Sequence, residues 1–224
     1  MTRTSVVVFL FVLFTRLAAA QAVTIRIKAP KKLNERKALL LTREKEFAAV
    51  VHSIQLGYDT THLQMDRSLL PDLYQFQVSG LKGTLTFFFE SGTEIRLDTG
   101  DVARSAVSHS KSNLDWVAYR DSIQRPADKR LRELVLEENL ARKIGNLDSA
   151  RAWVARQEAS RIDMLNKTTA FIAAHPASYV SLYLLKNYWY ALKTRGLFEQ
   201  LDPAMAHHRT YRLLKEKNKA VARK

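Results

Sequence analysis

The chain has 224 residues, 36 Lys+Arg against 22 Asp+Glu, six His and no Cys, for a formal net charge of +14. With 46% hydrophobic and 26% charged residues, seven Gly and five Pro, it has a globular composition, which excludes disordered, collagen-like and low-complexity classes. The missing cysteine excludes disulfides, thiolate metal sites, a Cys nucleophile and dithiol redox chemistry within these residues.

Residues 1–20 read as a secretory signal. Arg3 gives a positive start, residues 5–14 form an apolar run, and Ala18-Ala19-Ala20 places small residues before a cut at Gln21. Arg16 interrupts the pattern. The ten-residue run is about half of what a membrane span needs, which favours cleavage over anchoring. Without Cys there is no lipid anchor of that kind. The expected address is therefore outside the cytoplasm, in the periplasm or cell envelope.

Residues 21–111 carry a period-two pattern broken by turn residues. Residues 23–28 alternate apolar and polar, and Pro30 ends the run. Further strands are expected over residues 37–42, 47–56, 62–66, 73–78, 85–89 and 94–97. Gly57-Tyr58-Asp59 reads as a hairpin turn, and Ser91-Gly92-Thr93 turns the chain into residues 94–97. Glu44-Lys45-Glu46 also suits a short helix. Runs of this length and spacing predict an antiparallel β-sandwich or barrel-like sheet.

Residues 112–224 change to a helical period. Asn113 is placed to cap a helix running through Leu114, Val117, Ile123, Leu131, Leu134 and Ile144, with Pro126 kinking or splitting it. Gly145-Asn146 breaks the pattern. Asp148 or Ser149 caps the next helix, with Val154, Ile162, Leu165 and Ile172 on one face, and His175-Pro176 stops it. Ser178 opens a third helix, buried by its composition, with Gly196 at its end. Asp202-Pro203 suits the start of a last helix. The fold class expected is α+β, with the helices forming a hairpin or small bundle.

The basic excess concentrates at the C-terminus: residues 209–224 hold seven Lys+Arg and one acidic residue. This tail suits weak contact with an anionic envelope surface; nucleic acid is not expected, because no aromatic recognition face accompanies it.

Candidate chemistry is sparse. Glu90, Glu94, Asp98 and Asp101 lie around a turn, and the four-residue spacing of the first three would put them on one face of a strand. They suit a cation or a carboxylate pair, and equally the polar face of a half-buried hairpin. His207-His208 diverge by about 100° on a helix and make a poor metal pair. Ser108-His109-Ser110 point alternately on an extended chain, so no triad is expected. Asn166-Lys167-Thr168 is a formal glycosylation sequon in a helical stretch. Trp116, Tyr119, Tyr179, Tyr183, Tyr188, Trp189 and Tyr190 fit an interhelical seam or a ligand groove.

The order of pieces resembles the N-terminal domain of unknown function of Bacteroidetes envelope thiol:disulfide oxidoreductases of the TlpA/ResA type. The resemblance runs through residues 23–28, Leu73-Tyr74, Phe87-Phe88-Phe89-Glu90-Ser91-Gly92, the stretch 105–113 with His109 where Gly is commoner, and residues 197–217. It is densest at His175-Pro176-Ala177-Ser178-Tyr179-Val180-Ser181-Leu182-Tyr183-Leu184-Leu185. In that family the redox work belongs to a following thioredoxin-like domain with Cys-x-x-Cys, whose opening words are absent here. The resemblance therefore implies a non-catalytic accessory module that positions a partner or substrate, or dimerises. The implied partner is a thioredoxin-like domain, fused or separate, or a second copy. No catalytic residue, cofactor or metal is expected. Tyr179, Tyr183, Tyr188, Trp189, Glu90 and Glu94 are the candidate ligand or partner surface. The alternatives are a stand-alone envelope protein that binds a glycan, peptide or lipid, and an enzyme built on the carboxylates between Glu90 and Asp101.

Overall fold

Alternation governs the first half. The computed structural model describes residues 22–44, 47–66 and 71–222. Residues 1–20, expected to form the signal, lie outside them, as do Lys45, Glu46, Arg223 and Lys224. The chain divides into two compact units, Met1–Asn113 and Leu114–Lys224.

In the first unit, β1 (Ala22–Ala29) buries Ile25 and Ile27 and exposes Arg26 between them. The same period sets β5 (Asp72–Val78), which buries Tyr74, Phe76 and Val78. The other strands are β2 (Lys37–Glu44), β3 (Phe47–Gln55), β4 (Asp59–Asp66), β6 (Leu85–Phe89), β7 (Glu94–Arg96) and β8 (Ala106–Ser108). They form two four-stranded sheets, ordered β4-β1-β7-β8 and β3-β2-β5-β6. One buried cluster draws on both, including Ile25, Leu63 and Ile95 from the first sheet and Leu40, Phe76 and Phe87 from the second. The sheets do not close into a barrel.

Two connections differ from the expectation. Gly57-Tyr58-Asp59 is a corner between sheets, not a hairpin turn: β3 pairs with β2, whereas β4 pairs with β1 in the other sheet. Leu56 is buried and tied to main chain at Arg36 and Glu35, and Asp59 takes φ 61°, which redirects the chain. The turn at residues 91–93 likewise passes from β6 to a strand of the other sheet. It brings β7 beside β1 as a parallel pair, with Ile27 opposite Ile95, while the remaining pairs are antiparallel.

A helix α1 (Lys111–Tyr119) begins in the first unit and continues past Asn113. Its cap is Ser110, whose Oγ accepts from the N–H of Asn113 at 3.1 Å. Asn113, expected as the cap, lies one turn inside, because its carboxamide is engaged by Phe88. Pro126 does not split the helix. A π-helical stretch, Arg120–Gln124, joins α1 to α2 (Arg125–Lys143) just before the proline, so the regular hydrogen-bond pattern is already altered where Pro126 lacks its N–H.

In the second unit α2 is followed by α3 (Leu147–Ala174). Gly145 takes φ 75°, and Asn146, rather than Asp148 or Ser149, caps α3 by accepting from Ser149 N at 3.0 Å. Ala150, Gln157, Thr168, Phe171 and Ile172 form the buried face of α3. Val154 and Ile162, expected there, are exposed. The third expected helix divides into α4 (Tyr179–Asn187) and the single turn α5 (Trp189–Leu192). Ser178 caps α4 through Val180 N at 3.2 Å and donates to Asp115 at 2.6 Å. Asp202 caps a short 3-10 turn, Pro203–His207, and α6 (Arg209–Ala222) follows.

Candidate functional site

The carboxylates expected to act together are each engaged separately. Glu90, just beyond β6, accepts from Ser110 Oγ at 2.6 Å, Ser112 N at 3.0 Å and Ser112 Oγ at 3.1 Å. It therefore closes the start of α1. Glu94 is buried on β7 and meets Lys28 Nζ at 2.9 Å and Arg26 at 3.5 Å across the parallel pair. The Lys28 hydrogen bond, aided by the charges of Lys28 and Arg26, holds its carboxyl below the usual range. Asp98 receives the N–H groups of Gly100 at 2.7 Å and Asp101 at 2.8 Å, which lower its pKa. Asp101 caps the 3-10 turn Val102–Arg104 through Ala103 N at 2.9 Å. The even spacing on one strand face fails because β6 ends at Phe89 and β7 at Arg96.

The other sequence signals also resolve into structure. Ser110 is spent on Glu90, Ser108 Oγ reaches the carbonyl of Glu94, and His109 between them is exposed at φ 58°. His207 bonds to Ala204 O at 2.8 Å and to the Tyr179 hydroxyl at 3.2 Å. His208 is buried, and its Nδ1 accepts from Thr210 N at 3.1 Å. In the sequon, Asn166 accepts from Arg195 at 2.9 Å, and Thr168 is buried within α3. Among the described residues no group of three or more His, Cys, Asp or Glu is placed to hold a metal ion. No helix among them is long and apolar enough to cross a membrane.

The aromatic residues form an interior seam. Trp116 stacks on Tyr119 with centroids 6.0 Å apart and meets Tyr183 edge-on at 6.0 Å; Tyr119 meets Phe171 at 5.2 Å. The Tyr119 hydroxyl hydrogen-bonds Thr168 Oγ1 at 3.0 Å and interacts with Tyr188, and burial pushes both phenols up. Trp189 is buried, so it offers nothing to a ligand. Tyr179 and Tyr183 are half-buried against His207, His208 and Trp116. Tyr190, left out of the expected surface, is the exposed member.

What remains unspent is apolar. On α2 and its C-cap, Leu136, Leu140 and Ile144 recur every fourth residue, and Leu147 follows at the start of α3; all four are 56–70% exposed. The seam between the two helices is made by other positions, Leu134 and Ala141 on α2 with Ala150 and Gln157 on α3. Thus α2 carries two apolar stripes, one packed and one bare, the bare one spanning about 12 Å. The signal was present: apolar residues at 136, 140, 144 and 147 fall off the seven-residue spacing of 134 and 141. Glu138, beside the seam, bonds Arg142 at 2.7 Å and Gln157 at 2.6 Å, which lower its pKa. The helix α6 packs through Tyr211 and Leu214 and turns Arg209, Arg212, Lys215, Lys217 and Lys219 to solvent.

No protein-family model, curated protein or solved structure matches the chain.

Proposed function

We propose that the chain is a non-catalytic accessory module that binds another protein through the bare stripe of α2. The observation behind this reading is the contrast just described. The carboxylates singled out in the sequence are engaged in caps and ion pairs. Four large aliphatic side chains at one end of a helical hairpin remain in water. Aligned exposed aliphatics are unfavourable unless something covers them, and a contiguous patch of this kind commonly marks a protein-binding surface. The resemblance centred on residues 175–185 suggests the partner, a thioredoxin-like domain carrying Cys-x-x-Cys. The leader-like residues 1–20 suggest the compartment, the cell envelope.

A photo-crosslinking residue placed in turn at Leu136, Leu140 and the exposed polar position Glu158 tests this in cells. The reading expects one dominant adduct from positions 136 and 140, absent from 158, with a Cys-x-x-Cys protein. An adduct with a protein lacking that motif would keep the binding role and remove the redox connection. Equal yields from all three positions, or none, would overturn the reading.

A further inference from the structure

The helix α6 is a fixed element with a charged outer face. Tyr211 and Leu214 are buried on its inner side, the Tyr211 ring lies 5.1 Å from that of Phe198, and Asn218 donates to Glu199 at 2.6 Å. On the outer side Arg209, Arg212, Lys215 and Lys219 follow one another at intervals of three or four residues, a row about 15 Å long. Leu213, one turn from Arg209 and one turn from Lys217, is 44% exposed among these cations. Elsewhere in this unit many cations are neutralised locally: Arg130, Arg142, Arg151, Arg161 and Lys167 each reach an acid three or four residues away. On α6 the single acid, Glu216, meets Lys219 at 2.8 Å. Among the described residues, Arg209, Arg212, Lys215 and Lys217 have no acidic partner. The basic excess of the C-terminus is therefore held in register on a packed helix and left without local neutralisation.

We propose that the outer face of α6 binds an anionic phospholipid surface, with the helix lying along it. Charge complementarity sets the sign of the occupant: cations without acidic partners, on a chain of net charge +14, attract a polyanion and repel a second copy. The shape and the aliphatic residue set its kind. A convex row of cations with Leu213 among them suits a broad surface whose phosphates lie above an apolar layer. The Arg and Lys side chains carry their charges to the phosphates, and Leu213 enters the apolar boundary. A single-stranded nucleic acid fits less well, because Tyr211, the one aromatic residue of α6, is buried and leaves no ring on which a base could stack. Each Lys or Arg held at an anionic bilayer strengthens binding roughly fivefold, and salt screens the attraction. This face is separate from the bare stripe of α2 and does not rest on the role given to that stripe.

Flotation of the full chain with vesicles tests the proposal. Vesicles of phosphatidylcholine alone are compared with vesicles of phosphatidylcholine and phosphatidylglycerol. The apolar run at residues 5–14 would carry the chain to both kinds alike, so the difference between them reads the charged face. The mixed vesicles should bind at least about tenfold more tightly at low salt, and the difference should vanish near about 0.5 M salt. Arg212→Gln combined with Lys215→Gln should weaken binding to the mixed vesicles about 25-fold, with an unchanged circular dichroism spectrum. Arg151→Gln combined with Arg161→Gln removes the same charge from α3 and should leave binding within about twofold, because those residues already have acidic partners. Leu140→Ser should also leave it unchanged, which separates this result from partner binding through α2. Equal binding to both kinds of vesicle, equal losses from the two double variants, or tighter binding to a single-stranded RNA than to the mixed vesicles would overturn the proposal.

Discussion

The side chain of Asn113 serves Phe88 as a neighbouring strand would. The Phe88 N–H donates to Asn113 Oδ1 at 2.8 Å, and Asn113 Nδ2 donates to the Phe88 carbonyl at 2.8 Å. Both residues are buried. Asn113→Ala leaves two buried main-chain groups without partners and should cost about 2–4 kcal/mol. Asn113→Asp keeps the acceptor, loses the donor and buries a charge, so it should be no milder. Urea unfolding followed by fluorescence checks both; a loss under about 0.5 kcal/mol for the alanine variant would show that water replaces the amide.

His109 holds φ 58° in a solvent-exposed turn. An L residue pays roughly 1–2 kcal/mol in this region and glycine pays little. Glycine also loosens the unfolded chain, which offsets part of the gain. His109→Gly should therefore raise stability by about 0.5–1 kcal/mol, read as a higher urea midpoint with an unchanged slope. His109→Ala, which retains a Cβ, should not reproduce it.

Glu94 provides a pH-dependent contribution whose sign is fixed. Its hydrogen bond to Lys28 depresses the carboxyl pKa below the ordinary value of the unfolded chain. The stabilisation is complete above the unfolded value and is lost as pH falls through the folded one. Glu94→Gln should lower the melting temperature at neutral pH and flatten the acid limb of melting temperature against pH. Parallel acid limbs in the two proteins would assign the acid sensitivity to other carboxylates, such as Asp98.

The two stripes of α2 predict opposite outcomes for the same chemistry. Leu134 is buried in the seam with α3, so Leu134→Ala should cost about 2–5 kcal/mol. Leu136, two residues on, is exposed, and Leu136→Ala should stay within about 0.5 kcal/mol. Thermal unfolding of the two variants side by side checks the pair; equal losses would show that Leu136 is covered in solution.

Much of the strand pattern was legible because burial alternates with sequence, as in residues 23–28 and 73–78. So were Gly145 and Ser178, whose roles depend on their own backbone or side chain, whereas Gly196 lies beyond the end of α5 at Leu192 and Asp202 caps the 3-10 turn rather than α6. What the sequence concealed was non-local. Gly57 to Asp59 looks like a hairpin turn, and only the tie of Leu56 to Glu35 and Arg36 reveals a corner between sheets. Asn113 has the right type and place for a cap, but its carboxamide is engaged 25 residues away at Phe88. Glu90 and Glu94 share a spacing and no environment, since one meets serines at the start of α1 and the other two cations on β1. The bare stripe of α2 was visible in the residues, yet burial of one stripe and exposure of the other is decided by where α3 lies.

The parallel pair β1–β7 also constrains the order of assembly. β1 sits in the middle of its sheet, held on one side by residues 59–66 and on the other by residues 94–96. Its second neighbour thus arrives nearly seventy residues after it, with the whole of the other sheet made in between. Pairings between segments so far apart carry a large loop-closure cost and form late. The β2–β3 hairpin is complete once Gln55 has been made, while the outer side of β1 stays unpaired until Arg96 has emerged. Until then β1 can pair only with residues 59–66, so the first sheet is finished after the second.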